Sequence, residues 1–183
     1  SNRTTDVEAL LTHICTVRDA INPALPVWPG CSVSATAITQ QANGRVQAVR
    51  PGAYVFGDLS LTQNADVMPW DHVALQVLAT VVDKPTSDLA LIDAGSKTFS
   101  SDRTREGISA LAADGRDIAV VAVNEEHGYV RGSDVAQLQV GEQLLFVPAH
   151  VCTVINLADQ VRVIAADQTI RTTWPIDARG KNQ

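Results

Sequence analysis

The sequence predicts a mainly β fold: a C-terminal β-sandwich or barrel domain preceded by a remnant of helix, strand and loop. Two observations carry this. Apolar residues at Val7, Leu10, Leu11, Ile14, Val17 and Ile21 follow the spacing of one helix face. After residue 72, roughly seven short apolar runs recur with turn residues between them, as in a sandwich or barrel. The texture changes near residue 60, so two segments are expected, 1–58 and 59–183.

Composition narrows the function classes. Apolar residues make up 45% of the 183, enough for a packed core. The net charge is −6 and no stretch concentrates Lys or Arg, which argues against a nucleic-acid surface. No apolar run reaches bilayer-spanning length, so no membrane partner is expected. The polar start, Ser1 to Asp6, lacks the apolar centre of a secretory signal. Three cysteines make a complete disulfide framework unexpected. A reducing, cytoplasmic setting is the expectation, with thiols free to act as ligands.

Taken in order, Asp6 is placed to cap a helix starting at Val7, and Asn22-Pro23 ends it. His13 and Cys15 lie on it but diverge by roughly 200°, so they cannot share a ligand. Val27 to Thr36 is extended and then rich in small residues. After a helix, that order looks like the last helix, strand and loop of a β/α barrel, whose loops bind phosphate through backbone N–H groups. The loop Gly30-Cys31-Ser32-Val33-Ser34 has one glycine, a weak version of that signal, and Ser34 is its candidate cofactor contact. Pro51-Gly52 marks a turn before another apolar run. Strands are expected over Ala74–Val82, Leu89–Asp93, Ile118–Val123, Tyr129-Val130, Gln143–Val147 and His150–Leu157. A last hairpin joins Val161–Ala165 to Thr169–Trp174 across Ala166-Asp167-Gln168. Ser100–Ala113 reads as polar with modest helical character.

The stretch Val147 to Leu157 carries the chemistry. Read as a strand, it points His150 and Cys152 to the same face, since side chains two apart share a face. An imidazole beside a thiolate is half of a tetrahedral zinc site. The alternative is a buried histidine beside a buried free thiol. His127, in Asn124-Glu125-Glu126-His127-Gly128, is either part of a solvated turn or a candidate catalytic residue on an active-site loop. Asp93 and Lys97 read as a structural ion pair or as residues reaching a domain interface.

Four motifs together resemble one family. Val49-Arg50-Pro51-Gly52-Ala53-Tyr54-Val55-Phe56-Gly57-Asp58 resembles the segment leaving the barrel in alanine-racemase-like enzymes. Asp93-Ala94-Gly95-Ser96-Lys97 resembles a stretch of the D-serine dehydratase and D-threonine aldolase branch. Asn124 to Gly128 is similar to that branch's Glu-Glu-His-Gly motif, and Pro148 to Leu157 to its metal-binding segment. The four stand in the family's order.

The resemblance implies a two-domain enzyme. Its N-terminal β/α barrel holds pyridoxal phosphate on a lysine, and this chain matches only about the last half. No lysine precedes Lys84, so the cofactor-bearing lysine is absent and this chain alone is expected to be inactive. The resemblance implies a divalent metal, zinc by preference, on His150 and Cys152. The aldolase branch has aspartate at the second position, so Cys152 favours the dehydratase side. Tyr54 corresponds to a tyrosine near the cofactor phosphate, in shifted register. The implied activity is β-elimination of water from a small-molecule D-amino acid such as D-serine. D-threonine aldolase, an amino-acid racemase and a non-catalytic interaction module are the alternatives. A homodimer is expected at full length. Both ligands must be deprotonated, so metal binding is expected to weaken at low pH.

Overall fold

Val7 and Leu11, one helical turn apart, are buried on a single stripe of α1 (Arg3–Ile21). The structure is a computed structural model and describes residues 3–181. Its chain divides into two compact units, the break falling between Val55 and Phe56. In the first unit, Val7 and Leu11 pack with Ile38 from α2 (Ala35–Gln41). Asp6 is not the expected cap. It lies within the first turn of α1, where a negative charge still complements the helix dipole. α1 ends as expected at Ile21, where the Asn22 N–H reaches Arg18 C=O at 2.8 Å.

α2 takes in only the last two residues of the expected small-residue segment, Ala35 and Thr36, and runs on past it. Its single large apolar residue, Ile38, gives too little periodicity to announce a helix. The expected strand near Val27 is extended chain held by isolated bonds. Gln47 N–H donates to Val27 C=O (3.2 Å) and Arg50 N–H to Pro29 C=O (3.0 Å), without a continuous ladder. Among the described residues the first unit therefore contains helices and loops but no strand.

The second unit is built on a closed six-stranded antiparallel barrel, which decides between sandwich and barrel. The strands are β1 (Val77–Thr86), β2 (Leu89–Ile92), β3 (Ala110–Ala112), β4 (Ala119–Val123), β5 (Gly128–Arg131) and β6 (Gln143–Pro148). Their order around the barrel is β1-β2-β5-β4-β3-β6. Strand alternation turns Ala79, Ala90, Ala110 and Ala112 inward, small residues suited to the narrow interior of a small barrel. Phe99, from the single helical turn α3 (Ser96–Phe99), meets Phe146 edge to face with centroids 6.2 Å apart. Both rings are fully buried.

Three departures from the sequence reading have physical causes. β1 runs through Pro85 because register irregularities after Val81 and Asp83 excuse Pro85 from the ladder. β3, inside the stretch read as helical, is a short strand paired on both sides, to β4 and β6. The expected strand His150–Leu157 is instead the helix α4 (Val151–Leu157). Val151 and Val154, three apart, bury the same face of that helix (1% and 5% exposed), so tertiary packing overrides the β propensity of Val, Thr and Ile. The last hairpin is as expected: β7 (Gln160–Ile164) and β8 (Ile170–Pro175) form a separate two-stranded sheet.

Candidate metal centre

β6 ends at Pro148, and the next residue fixes how the chain enters α4. Ala149 is 1% exposed and tied on both sides. Its N–H donates to Ser109 C=O (2.8 Å), and its own C=O accepts from Ser60 Oγ (2.8 Å). His150 follows as the N-cap residue of α4, with extended backbone and no side-chain cap of its own. Asp58, fully buried, supplies the cap from a distant part of the chain. Its Oδ2 accepts the Val151 N–H at 2.9 Å and its Oδ1 the Leu61 N–H at 3.0 Å.

The same Oδ2 lies 3.2 Å from His150 Nδ1, at the long end of the hydrogen-bond range. The Asp58 carboxylate beside it holds the imidazole above the usual histidine value, partly opposed by burial. The His150 side chain is 37% exposed, so the ring sits half open to solvent. Cys152, at the second position of α4, is exposed. Partial burial of its sulfur, then the negative charges of Asp58 and Asp102, push the thiol up. Thr153 knits the turn together. Its Oγ1 lies 3.0 Å from Asp102 Oδ2 and 3.1 Å from His150 C=O, and accepts from Ser100 Oγ at 3.0 Å.

His150 and Cys152 thus stay close in sequence but not as strand neighbours. They occupy the N-cap and first turn of a short helix. Among the described residues no group of three or more His, Cys, Asp or Glu side chains encloses a metal position. The donor set is one imidazole and one thiol, half open, with a carboxylate behind the imidazole. Imidazole and thiolate are donors zinc takes, and two such donors supply half of a four-coordinate set.

The other candidates are placed elsewhere. His127 sits in the β4–β5 turn, where its backbone N–H donates to Asn124 Oδ1 (2.7 Å) and its C=O accepts the Asn124 N–H (3.0 Å). The carbonyls of the same turn receive the N–H groups of Ser96 (2.7 Å) and Lys97 (3.1 Å), and Lys97 pairs with Glu126. Two of the sequence motifs are therefore packing partners. Asp93 accepts the Thr80 N–H (2.6 Å), a structural role. Tyr54 and Ser34 belong to the first unit. Tyr54 is 56% exposed in a 3-10 turn, and Ser34 precedes α2 without a side-chain cap bond. Among the described residues no lysine is placed as a cofactor anchor: Lys84 binds Ala136 and Leu138 carbonyls, Lys97 is paired, and Lys181 is exposed. These residues do not fit covalent attachment of pyridoxal phosphate.

Sequence reasoning missed Asp58, Ser60 and Asp102. Asp58 closes the motif Arg50 to Asp58, and an acid one glycine past the apolar run Tyr54-Val55-Phe56 is a signal that demands partners once buried.

The barrel defines the class first: it is the C-terminal domain of alanine-racemase-like enzymes. A solved ala racemase-like protein from Idiomarina loihiensis matches with a TM-score of 0.67 at 25% identity, covering 82% of this chain and 43% of that one. Residues 74–164 match the family model described as "Putative serine dehydratase domain". An uncharacterized protein of Mycobacterium tuberculosis is 37% identical over 135 residues, 70% of this chain and 99% of that protein. The chain belongs to this serine dehydratase-domain family. D-threonine aldolase of Arthrobacter sp. is 33% identical over 142 residues, 76% of this chain and 36% of the aldolase. The solved D-threo-3-hydroxyaspartate dehydratase of Delftia sp. matches with a TM-score of 0.71 at 26% identity, covering 94% of this chain and 51% of that one. A D-threo-3-hydroxyaspartate dehydratase has also been solved as a histidine-to-alanine mutant, and as a cysteine-to-alanine mutant in a metal-free form. The chain spans about a third of the aldolase and about half of the dehydratase. Among the described residues no helix is long and apolar enough to cross a membrane.

Proposed function

We propose that this chain is the C-terminal part of a metal- and pyridoxal-phosphate-dependent lyase acting on D-amino acids that carry a β-hydroxyl. Its His150 and Cys152 hold the divalent metal. The observation that carries this is a fully buried carboxylate 3.2 Å from the His150 ring, two residues before Cys152 at the start of the same short helix. The two positions altered in the solved dehydratase mutants, a histidine and a cysteine, stand two apart, the spacing of His150 and Cys152, which supports the reading.

Within this proposal each residue has a physical task. His150 offers a neutral ring nitrogen and Cys152 a thiolate, a pair that suits zinc better than a harder cation. Thr153 and Asp102 hold the turn that carries both. When bound, the metal supplies a Lewis acid beside the departing β-hydroxyl. Dehydration of D-serine is the reaction we favour over aldol cleavage or racemisation, because the second ligand is a cysteine. His127 near the substrate, Tyr54 and Ser34 near the cofactor phosphate, and a homodimer at full length complete the proposal. Pyridoxal phosphate itself we assign to the part of the relatives' fold that this chain does not span.

In the full-length enzyme, a chelator should abolish release of keto acid from D-serine, and zinc should restore it. His150→Ala should lose that rescue. Dehydratase activity untouched by chelation would defeat the metal assignment. A second reading has its own observation. The mycobacterial relative is matched over 99% of its length by 70% of this chain, which supports a stand-alone reading. A non-catalytic module of this kind would bind metal, yet show no lyase activity with any added pyridoxal phosphate.

A further inference from the structure

We infer that Asp58 is the positioning residue of the metal centre: it holds the proton of His150 on Nδ1 and presents Nε2 to the metal. The inference rests on the metal reading above and extends it to a residue outside the ligand pair.

A fully buried carboxylate is costly unless each oxygen is satisfied. Two backbone N–H groups, of Leu61 and Val151, would be an ordinary helix-capping arrangement. The two are accepted by different oxygens, Oδ1 and Oδ2, which a single hydroxyl or amide oxygen could not serve at once. A third neighbour, His150 Nδ1, lies 3.2 Å from Oδ2, where the carboxylate has a further lone pair to offer. Because Oδ2 already accepts from Val151, it meets Nδ1 as an acceptor as well. Nδ1 therefore carries the hydrogen, and the lone pair of the neutral ring is on Nε2. A carboxylate behind a ligating imidazole fixes ring rotation and raises ligand basicity.

The local chain is built to deliver Asp58. Gly57 turns the backbone with φ +73°, and a Cβ there would stand 2.7 Å from Met68 Sδ. Asp58 C=O then accepts from Thr62 N–H (3.1 Å) and Thr62 Oγ1 (3.0 Å), locking the turn from the other side. Ser60 ties the same turn to Ala149, the residue before His150.

The test uses the whole 183-residue chain, metal-free and labelled with 15N-histidine. Long-range 1H–15N spectra are read about two pH units above the ordinary histidine value. His150→Gln identifies the His150 signals among those of His13, His72 and His127. Wild-type His150 should be protonated at Nδ1, and Asp58→Ala should give the mixed tautomers of a free histidine. Zinc affinity, read by competition with a chromogenic chelator, should fall about 10–100-fold in Asp58→Ala. Thr62→Val removes a hydrogen bond from the same turn but leaves the carboxylate, and should keep both tautomer and affinity. If Asp58→Ala does not fold, the wild-type tautomer decides by itself. A wild-type His150 protonated at Nε2, or a tautomer indifferent to Asp58, overturns the inference. If the wild type binds no zinc, the metal reading falls, while the tautomer alone still decides whether Asp58 orients His150.

Discussion

Gly95 shows how a motif that looks chemical can be a packing requirement. A Cβ there would stand 2.4 Å from Asn124 C=O and 2.5 Å from Glu125 C=O, both rigid backbone. The Asp93 to Lys97 motif and the Asn124 to Gly128 motif press against each other at this point. Gly95→Ala should lower stability by about 1–3 kcal/mol, read from the urea midpoint of the chain. An unchanged midpoint would mean the two turns are not in contact. Asp117, before the opposite end of β4, gives a pH signature. Its carboxylate accepts the N–H and hydroxyl of Ser133, which hold it below its ordinary value of 3.8. A carboxylate lowered in the folded state stabilises above its unfolded pKa, and that contribution is lost as pH falls through the folded value. The chain should therefore lose stability below the ordinary carboxylate range, and Ser133→Ala should lessen that acid sensitivity in urea titrations. His150 and Cys152 were singled out from residue type and spacing. Asp58 was not, because its partner is 92 residues away and only burial reveals the need for one.

α4 and β3 were read in each other's image, and for the same reason. The letters Val151 to Ile155 favour a strand, but their N-terminal N–H is satisfied by Asp58 and their apolar pair falls on one helical face. Ala110 to Ala112 carries no strand signal, but two neighbouring strands impose one. Where a segment satisfies its own pattern, the sequence reading held: α1, β2, β4, β5 and β6 lie where periodicity placed them. The β7–β8 ribbon is the opposite extreme, a correct reading of an element with little support. Ile164, Ile170 and Trp174 are about half exposed, and no β8 residue is buried. A two-stranded ribbon alone is marginal in water. Its amides should exchange with deuterium well before those of β1 and β6, measured by mass spectrometry. Equal protection would contradict the ribbon's lack of packing.

The chain carries a closed barrel and a helical unit, and the larger buried apolar cluster lies in the barrel. Phe146→Ala should cost about 3–5 kcal/mol in equilibrium unfolding, since it empties the centre of the interior against Phe99. A much smaller cost would mean the interior is not closed. A β-domain after a helical segment was readable from strand spacing. Closure was not, because barrel and sandwich share the same alternation and differ only in which edges meet. The account's central claim is that this barrel carries a metal on His150 and Cys152. X-ray absorption at the zinc edge of the metal-loaded chain tests it most directly. The account predicts one sulfur at about 2.3 Å and nitrogen or oxygen at about 2.0–2.1 Å, with the sulfur lost in Cys152→Ala. A sulfur shell that persists in Cys152→Ala, or a chain that takes up no zinc, would contradict it.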